Sequence, residues 1–209
     1  MIIKRRTILM AAFSLPVLAA LPGVAQAQTA EDARRFIENL AQRAITTVAD
    51  RQLSQSERDD RFRTLFVSAF DIPEIGRFVL SRHWRMATTE QQHDFLTLFE
   101  RITVLTWAKR FRDYDGERLE TISAGREGDR GWMVDSRIQR PQGPPVSTQW
   151  RLRQEDDGSF RVVDIIAEGV SMAITLRSDY AAIMHENGGQ MNGLLSAIRT
   201  KIDQLKSVN

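Results

Sequence analysis

Ser171 sits in Gly169-Val170-Ser171-Met172-Ala173, one residue away from the G-x-S-x-G pattern that presents a nucleophilic serine on a strand-to-helix turn. Such a serine also needs a histidine to take its proton and an acid to orient that histidine. The downstream partners would be Asp179 and His185, which fall on the helix directly after Ser171, and no later strand is predicted to carry a third group back. A triad is therefore not expected. Asp135, Asp164 and His83 are the remaining acid and base candidates, for a small enzyme built around an apolar pocket. A buried carboxyl would act as a base near neutrality only if its pKa were raised. In Val162-Val163-Asp164-Ile165-Ile166, strand alternation sets Val163 and Ile165 opposite Asp164, and a structural ion pair is the expected role for that acid. His83, His93 and His185 lack ligand spacing and the chain has no cysteine, so no metal, thiol chemistry or cofactor is expected.

The elements that must hold these residues follow from periodicity. From Glu31 to Tyr114 the pattern is helical, with capping pairs at Ser56 and Asp59, Asp71 and Glu74, and Thr88 and Gln91. Pro73 suits an early helical turn, where its missing N–H costs nothing. Phe62, Leu65, Phe66, Ala69 and Phe70 form one apolar stripe at three-and-four spacing; Phe95, Leu98, Phe99, Ile102, Leu105 and Trp107 form a wider one. At Asp115-Gly116 the period changes to two. Four mainly antiparallel strands are predicted, over 119–124, 131–139, 146–154 and 160–168, the last pair joined tightly at Asp156-Asp157-Gly158. Helix returns after Met172, stops at Asn187-Gly188-Gly189 and resumes from Met191 to Leu205. Helices, then strands, then helices describe one α+β domain over residues 28–209.

The first 27 residues read as a cleaved export signal: Lys4-Arg5-Arg6, an apolar run from Ile8 to Leu21, and a small-residue site at Ala25-Gln26-Ala27. Arg5-Arg6 also fits a twin-arginine signal, so both export routes stay open. The run is too short for a permanent membrane span, and a periplasmic mature protein is expected. Lys+Arg number 29 against 27 Asp+Glu, and the signal carries three of the basic residues and no acidic one. A near-neutral mature chain gives no support to nucleic-acid binding, which needs clustered positive charge. Arg137, Arg140, Arg151 and Arg153 lend one hairpin a basic edge, suited to a membrane surface or an acidic partner unless it is simply solvated.

Two distant segments carry a family pattern: Phe70-Asp71-Ile72-Pro73-Glu74-Ile75-Gly76-Arg77-Phe78-Val79-Leu80-Ser81-Arg82-His83-Trp84-Arg85, and Glu168-Gly169-Val170-Ser171-Met172-Ala173-Ile174-Thr175-Leu176-Arg177-Ser178-Asp179-Tyr180. Together they resemble the MlaC family of toluene-tolerance auxiliary proteins, and the resemblance extends from the first mature helix to Leu205. It implies helices packed on a curved, mainly antiparallel four-stranded sheet, like that of nuclear transport factor 2, enclosing an apolar cavity. It implies a non-enzymatic periplasmic carrier of phospholipid, or of a hopanoid or other lipid, that maintains outer-membrane lipid asymmetry. The implied partners are an inner-membrane ABC transporter complex with an MCE-type substrate-binding subunit and an outer-membrane lipoprotein complex. Ser81 where glycine is usual, His83 where an aromatic is usual and Leu176 before the arginine depart from the family pattern and bear on which lipid is taken.

Lipid tails require a deep apolar space with polar groups confined to its mouth. From the helices and motifs the candidate lining is Phe78, Val79, Trp84, Phe95, Phe99 and Trp107, with Val170 and Met172. From the inward strand faces it is Val134, Ile138, Trp150, Val163 and Ile165. Each of these residues also suits an ordinary core position. Arg82, Arg85 and Arg177 are the candidates for the head group at the mouth, against the alternative of surface ion pairs.

Overall fold

The computed structural model describes residues 29–49, 52–112, 114–129 and 131–207; the expected export signal lies outside the described residues. Five helices come first: α1 (Ala30–Ala49), α2 (Gln55–Ala69), α3 (Ile72–Leu80), α4 (Arg82–Met86) and α5 (Thr89–Arg112). Then follow β1 (Arg118–Glu127), β2 (Gly131–Gln139), β3 (Val146–Gln154), β4 (Phe160–Ala167) and the two-residue β5 (Val170–Ser171), and finally α6 (Met172–Glu186) and α7 (Met191–Ser207). The strands form one antiparallel meander in the order β1-β2-β3-β4-β5. β5 is a fifth strand absent from the four predicted. It arises because Glu168 and Gly169 turn with positive φ, 49° and 78°, and fold Val170-Ser171 back onto Ile166-Ala167.

The predicted start at Ser56 is two residues late. Ser54 caps α2 in a reciprocal box with Glu57, while Asp71 caps α3 and Thr88 accepts from the Gln91 N–H, as their spacing requires. The even-numbered residues of β2 and β3 face inward: Trp132, Val134 and Ser136 lie opposite Leu152, Trp150 and Thr148. Ser136 donates to the Thr148 carbonyl and accepts from the Trp150 indole N–H, so the polar atoms on this face are paired.

In β4 the alternation breaks. Arg151 pairs with Asp164 but Leu152 pairs with Val162, so Val163 is an extra, bulged residue. The set packed in the core between α1 and the sheet is therefore Phe160, Val162 and Ile165, and the expected inward residue Val163 is left out of that core.

Two cores result. One lies among α3, α5, α6 and α7 and includes Val79, Phe95, Phe99, Tyr180 and Leu194; the other lies between α1 and the sheet and includes Ile37, Val134, Leu152 and Val162. Trp107, near the C-terminal end of α5, packs against both. Among the described residues no helix is long and apolar enough to cross a membrane.

Candidate functional site

Between α1, α2, the end of α5 and the inner face of the sheet the helices do not close on the strands. The cavity left there holds about 1000 Å³ of empty space, counting its open mouth. The enclosed part of it is about 240 Å³, just below the roughly 300–1,000 Å³ of small-molecule sites. Leu40, Ala41, Ala44 and Ile45 of α1 form one wall and Phe62, Leu65 and Phe66 of α2 the next. Phe70, Trp107, Leu119, Ile138, Trp150 and Ile165 complete the apolar lining. The two alanines explain part of the opening: small side chains in an otherwise bulky helical stripe leave space that leucine would fill.

A second, much smaller cavity of about 40 Å³ lies between β4 and helices α3, α5 and α6, and Phe66, Phe70, Trp107 and Ile165 line both. Phe66 and Phe70 stack in this shared wall with ring centroids 4.1 Å apart. Phe99, Val163, Met172 and Leu176 are among the residues that line the second cavity only.

The candidate tail contacts therefore divide. Trp107, Ile138, Trp150 and Ile165 line the large cavity, and Phe99, Val163 and Met172 the smaller one. Val79, Phe95 and Trp84 pack in the helical core, and Val134 is fully buried beneath α1; none of these four lines either cavity. Phe78 and Val170 are exposed, at 40% and 60%. Arg82, Arg85 and Arg177 are exposed on α4 and α6, and the Arg177 guanidinium lies over the Phe78 ring. None of the three arginines lines a cavity. The lining residues absent from the candidates are those of α1 and α2, with Phe70, Tyr114, Glu117, Arg118 and Leu119. The α1 stripe is visible at three-and-four spacing, but nothing in one amphipathic helix says that its partner stands off.

The two signature segments build a joint beside the cavity and reach its lining through Phe70. The Asp71 N–H donates to the Val162 carbonyl at 2.9 Å, and the Asp71 carboxylate caps α3 and pairs with Arg153. Arg153 also meets Glu155 at 2.9 Å and Glu74 at 3.7 Å; the Glu155 hydrogen bond, with the charges of Asp71 and Glu74, raises its pKa despite burial. Arg151 forms a bidentate pair with Glu127, at 2.8 and 3.0 Å, and reaches Asp164 at 3.3 Å. Glu127 is the main cause of its raised pKa, with Asp164 adding to it. Two of the four arginines of the basic hairpin edge are thus neutralised within the fold.

Asp164 is the buried acid with the fullest set of partners. Besides Arg151 it accepts from Ser171 Oγ at 2.6 Å and from the Ala173 N–H at 2.9 Å. Ser171 in turn accepts from the Ile174 N–H and caps α6. Both side chains are occupied in starting a helix. His185 lies 14 residues along the same helix, about 21 Å away at 1.5 Å per residue, so it cannot serve Ser171. Among the described residues no cluster of histidines and acids fits a metal.

The family model described as "MlaC protein" matches residues 38–200. A solved phospholipid-binding protein from Ralstonia solanacearum, determined in complex with a phospholipid, has the same fold with a TM-score of 0.72 and 19% sequence identity; the match covers 83% of this chain and 98% of that one. The family match spans most of both cores, the cavity walls from α1 to β4 and both signature segments, and on that extent the chain belongs to the MlaC family.

Proposed function

We propose that this protein is a periplasmic phospholipid carrier: it holds acyl tails in the large cavity and moves the lipid between the outer membrane and an inner-membrane ABC transporter. The observation that carries this reading is a cavity of phospholipid-tail chemistry, apolar on every wall with polar side chains gathered on one short segment, in a fold shared with a phospholipid-bound relative. An MCE-type subunit of the transporter and an outer-membrane lipoprotein complex are the proposed partners, on the strength of family membership.

Energetics fit a shuttle better than a store. Removing about 30 methylenes from water is worth on the order of 24 kcal/mol. That is above the practical limit of noncovalent affinity, about 18–21 kcal/mol. The lipid, however, comes from a bilayer where its tails are already dry. Transfer between bilayer and cavity is then close to balanced, and direction must be set by the partners.

Replacing Ile138 with tryptophan fills the cavity from the sheet side. The proposal expects Ile138→Trp to stay folded, with its melting temperature within a few degrees of the parent, and to lose at least tenfold in the rate of labelled phospholipid transfer between donor and acceptor vesicles. Undiminished transfer by a folded variant would place the lipid elsewhere.

A further inference from the structure

The polar side chains of the large cavity cluster on one rim segment, Tyr114, Glu117 and Arg118, where the chain enters β1. Elsewhere, among the described residues, the lining carries only the indole N–H groups of Trp107 and Trp150, and that of Trp150 donates to Ser136. Within the rim the Tyr114 hydroxyl donates to the Glu117 carbonyl at 3.0 Å, and the Glu117 carboxylate accepts from the Asp115 N–H at 2.9 Å. Arg118 is exposed, and its side chain has no hydrogen bond or ion pair among the described residues. The side chains across the strand pair are already engaged: Gln139, opposite Arg118 in register, donates to Glu120, and Arg140 is held through two nitrogens by the Pro144 carbonyl.

We propose that Arg118 binds the phosphodiester of the carried lipid and so selects phosphate-bearing lipids over neutral ones with the same tails. This rests on the carrier reading and adds the head-group residue to it. A guanidinium at the edge of an apolar cavity suits this role, because such a stem can lie along apolar surface while the planar fork stays wet and can take two phosphate oxygens at once. The Glu117 carboxylate on the same rim opposes anion binding, so the pairing must be local and geometric rather than a product of net charge. Arg82, Arg85 and Arg177 are not placed to compete for this role, since none borders the cavity.

The test is competition. The mature protein is equilibrated with vesicles containing equal amounts of a phosphatidylethanolamine and a diacylglycerol with identical acyl chains, and the bound ratio is read by native mass spectrometry. Wild type is expected to favour the phospholipid. Arg118→Gln is expected to lower that preference about tenfold, the scale of one charge-assisted hydrogen-bonded contact, while total lipid bound stays constant. Arg118→Lys is expected to fall between the two. An Arg118→Gln variant with unchanged preference, or one that loses both lipids equally, would overturn the assignment. Retention of soluble glycerophosphoethanolamine, which has the head group and no tails, would reassign Arg118 to a free phosphodiester site and also overturn it. A wild type that binds neither lipid would instead sink the carrier reading, a distinct result.

Discussion

Ser81 joins α3 to α4 with φ 52° and ψ −123°, a conformation that glycine adopts freely and serine does not. Its side chain makes no capping hydrogen bond to offset the strain. Ser81→Gly is therefore expected to stabilise the protein by about 1 kcal/mol, seen as a higher urea midpoint with an unchanged slope. The departure from family pattern at this position is thus a cost in backbone energy, remote from the cavity lining. Tyr180 offers a second single-residue test. It stacks edge-on against Phe95 and Phe99, and burial, with a smaller push from Asp179, raises its phenol above the ordinary value of 10. A raised folded-state pKa means that the contribution is complete below the unfolded value and is lost as pH climbs toward the folded one. Between about pH 9 and pH 11, wild type is expected to lose melting temperature more steeply than Tyr180→Phe, and parallel curves would contradict the assignment.

At the scale of elements, α6 begins where Ser171 and Asp164 tie its first turn to β4. Ser171→Ala removes the cap and one partner of a buried carboxylate, and is expected to cost about 1–2 kcal/mol by denaturant unfolding. Lipid content per folded molecule should be unchanged, whereas a serine enzyme would lose its activity outright. This junction is half legible in the sequence: Gly169-Val170-Ser171 announces a turn before a helix, and the pairing of Asp164 is expected, but β5 is not, because two residues carry no periodicity. The inward faces of β2 and β3 are readable from strict alternation. The bulge at Val163 is not, since Val162, Val163, Ile165 and Ile166 are all apolar and either register buries hydrophobic groups. The capping pairs at Asp71 and Thr88 are legible because they are local. Ser54 is harder to single out, since Ser56 lies two residues away with an acid at the same spacing.

At the scale of the whole molecule, the cavity is a gap between elements that each look complete alone. The stripes of α1 and α2 resemble any core-facing helix, and a single chain does not show that their partner strands stand apart. For that reason sequence reasoning places Trp107, Ile138, Trp150 and Ile165 on the lining but also draws in Phe95 and Val134, which are buried equally well in ordinary core. The motifs draw attention to α3, α4 and α6, yet α3 and α6 form the joint that holds the helical layer against β4, and the larger space lies on the α1 and α2 side. What unites the halves is Phe70, which belongs to a motif, closes α2, bridges to Val162 and lines both cavities.

The most direct measurement is native mass spectrometry of the protein purified from its native cells, followed by organic extraction and identification of what is released. One diacyl phospholipid per protein is expected, absent from Ile138→Trp prepared in parallel. A bare protein mass under gentle conditions, together with no uptake from phospholipid vesicles, would contradict the assignment of the cavity to lipid tails.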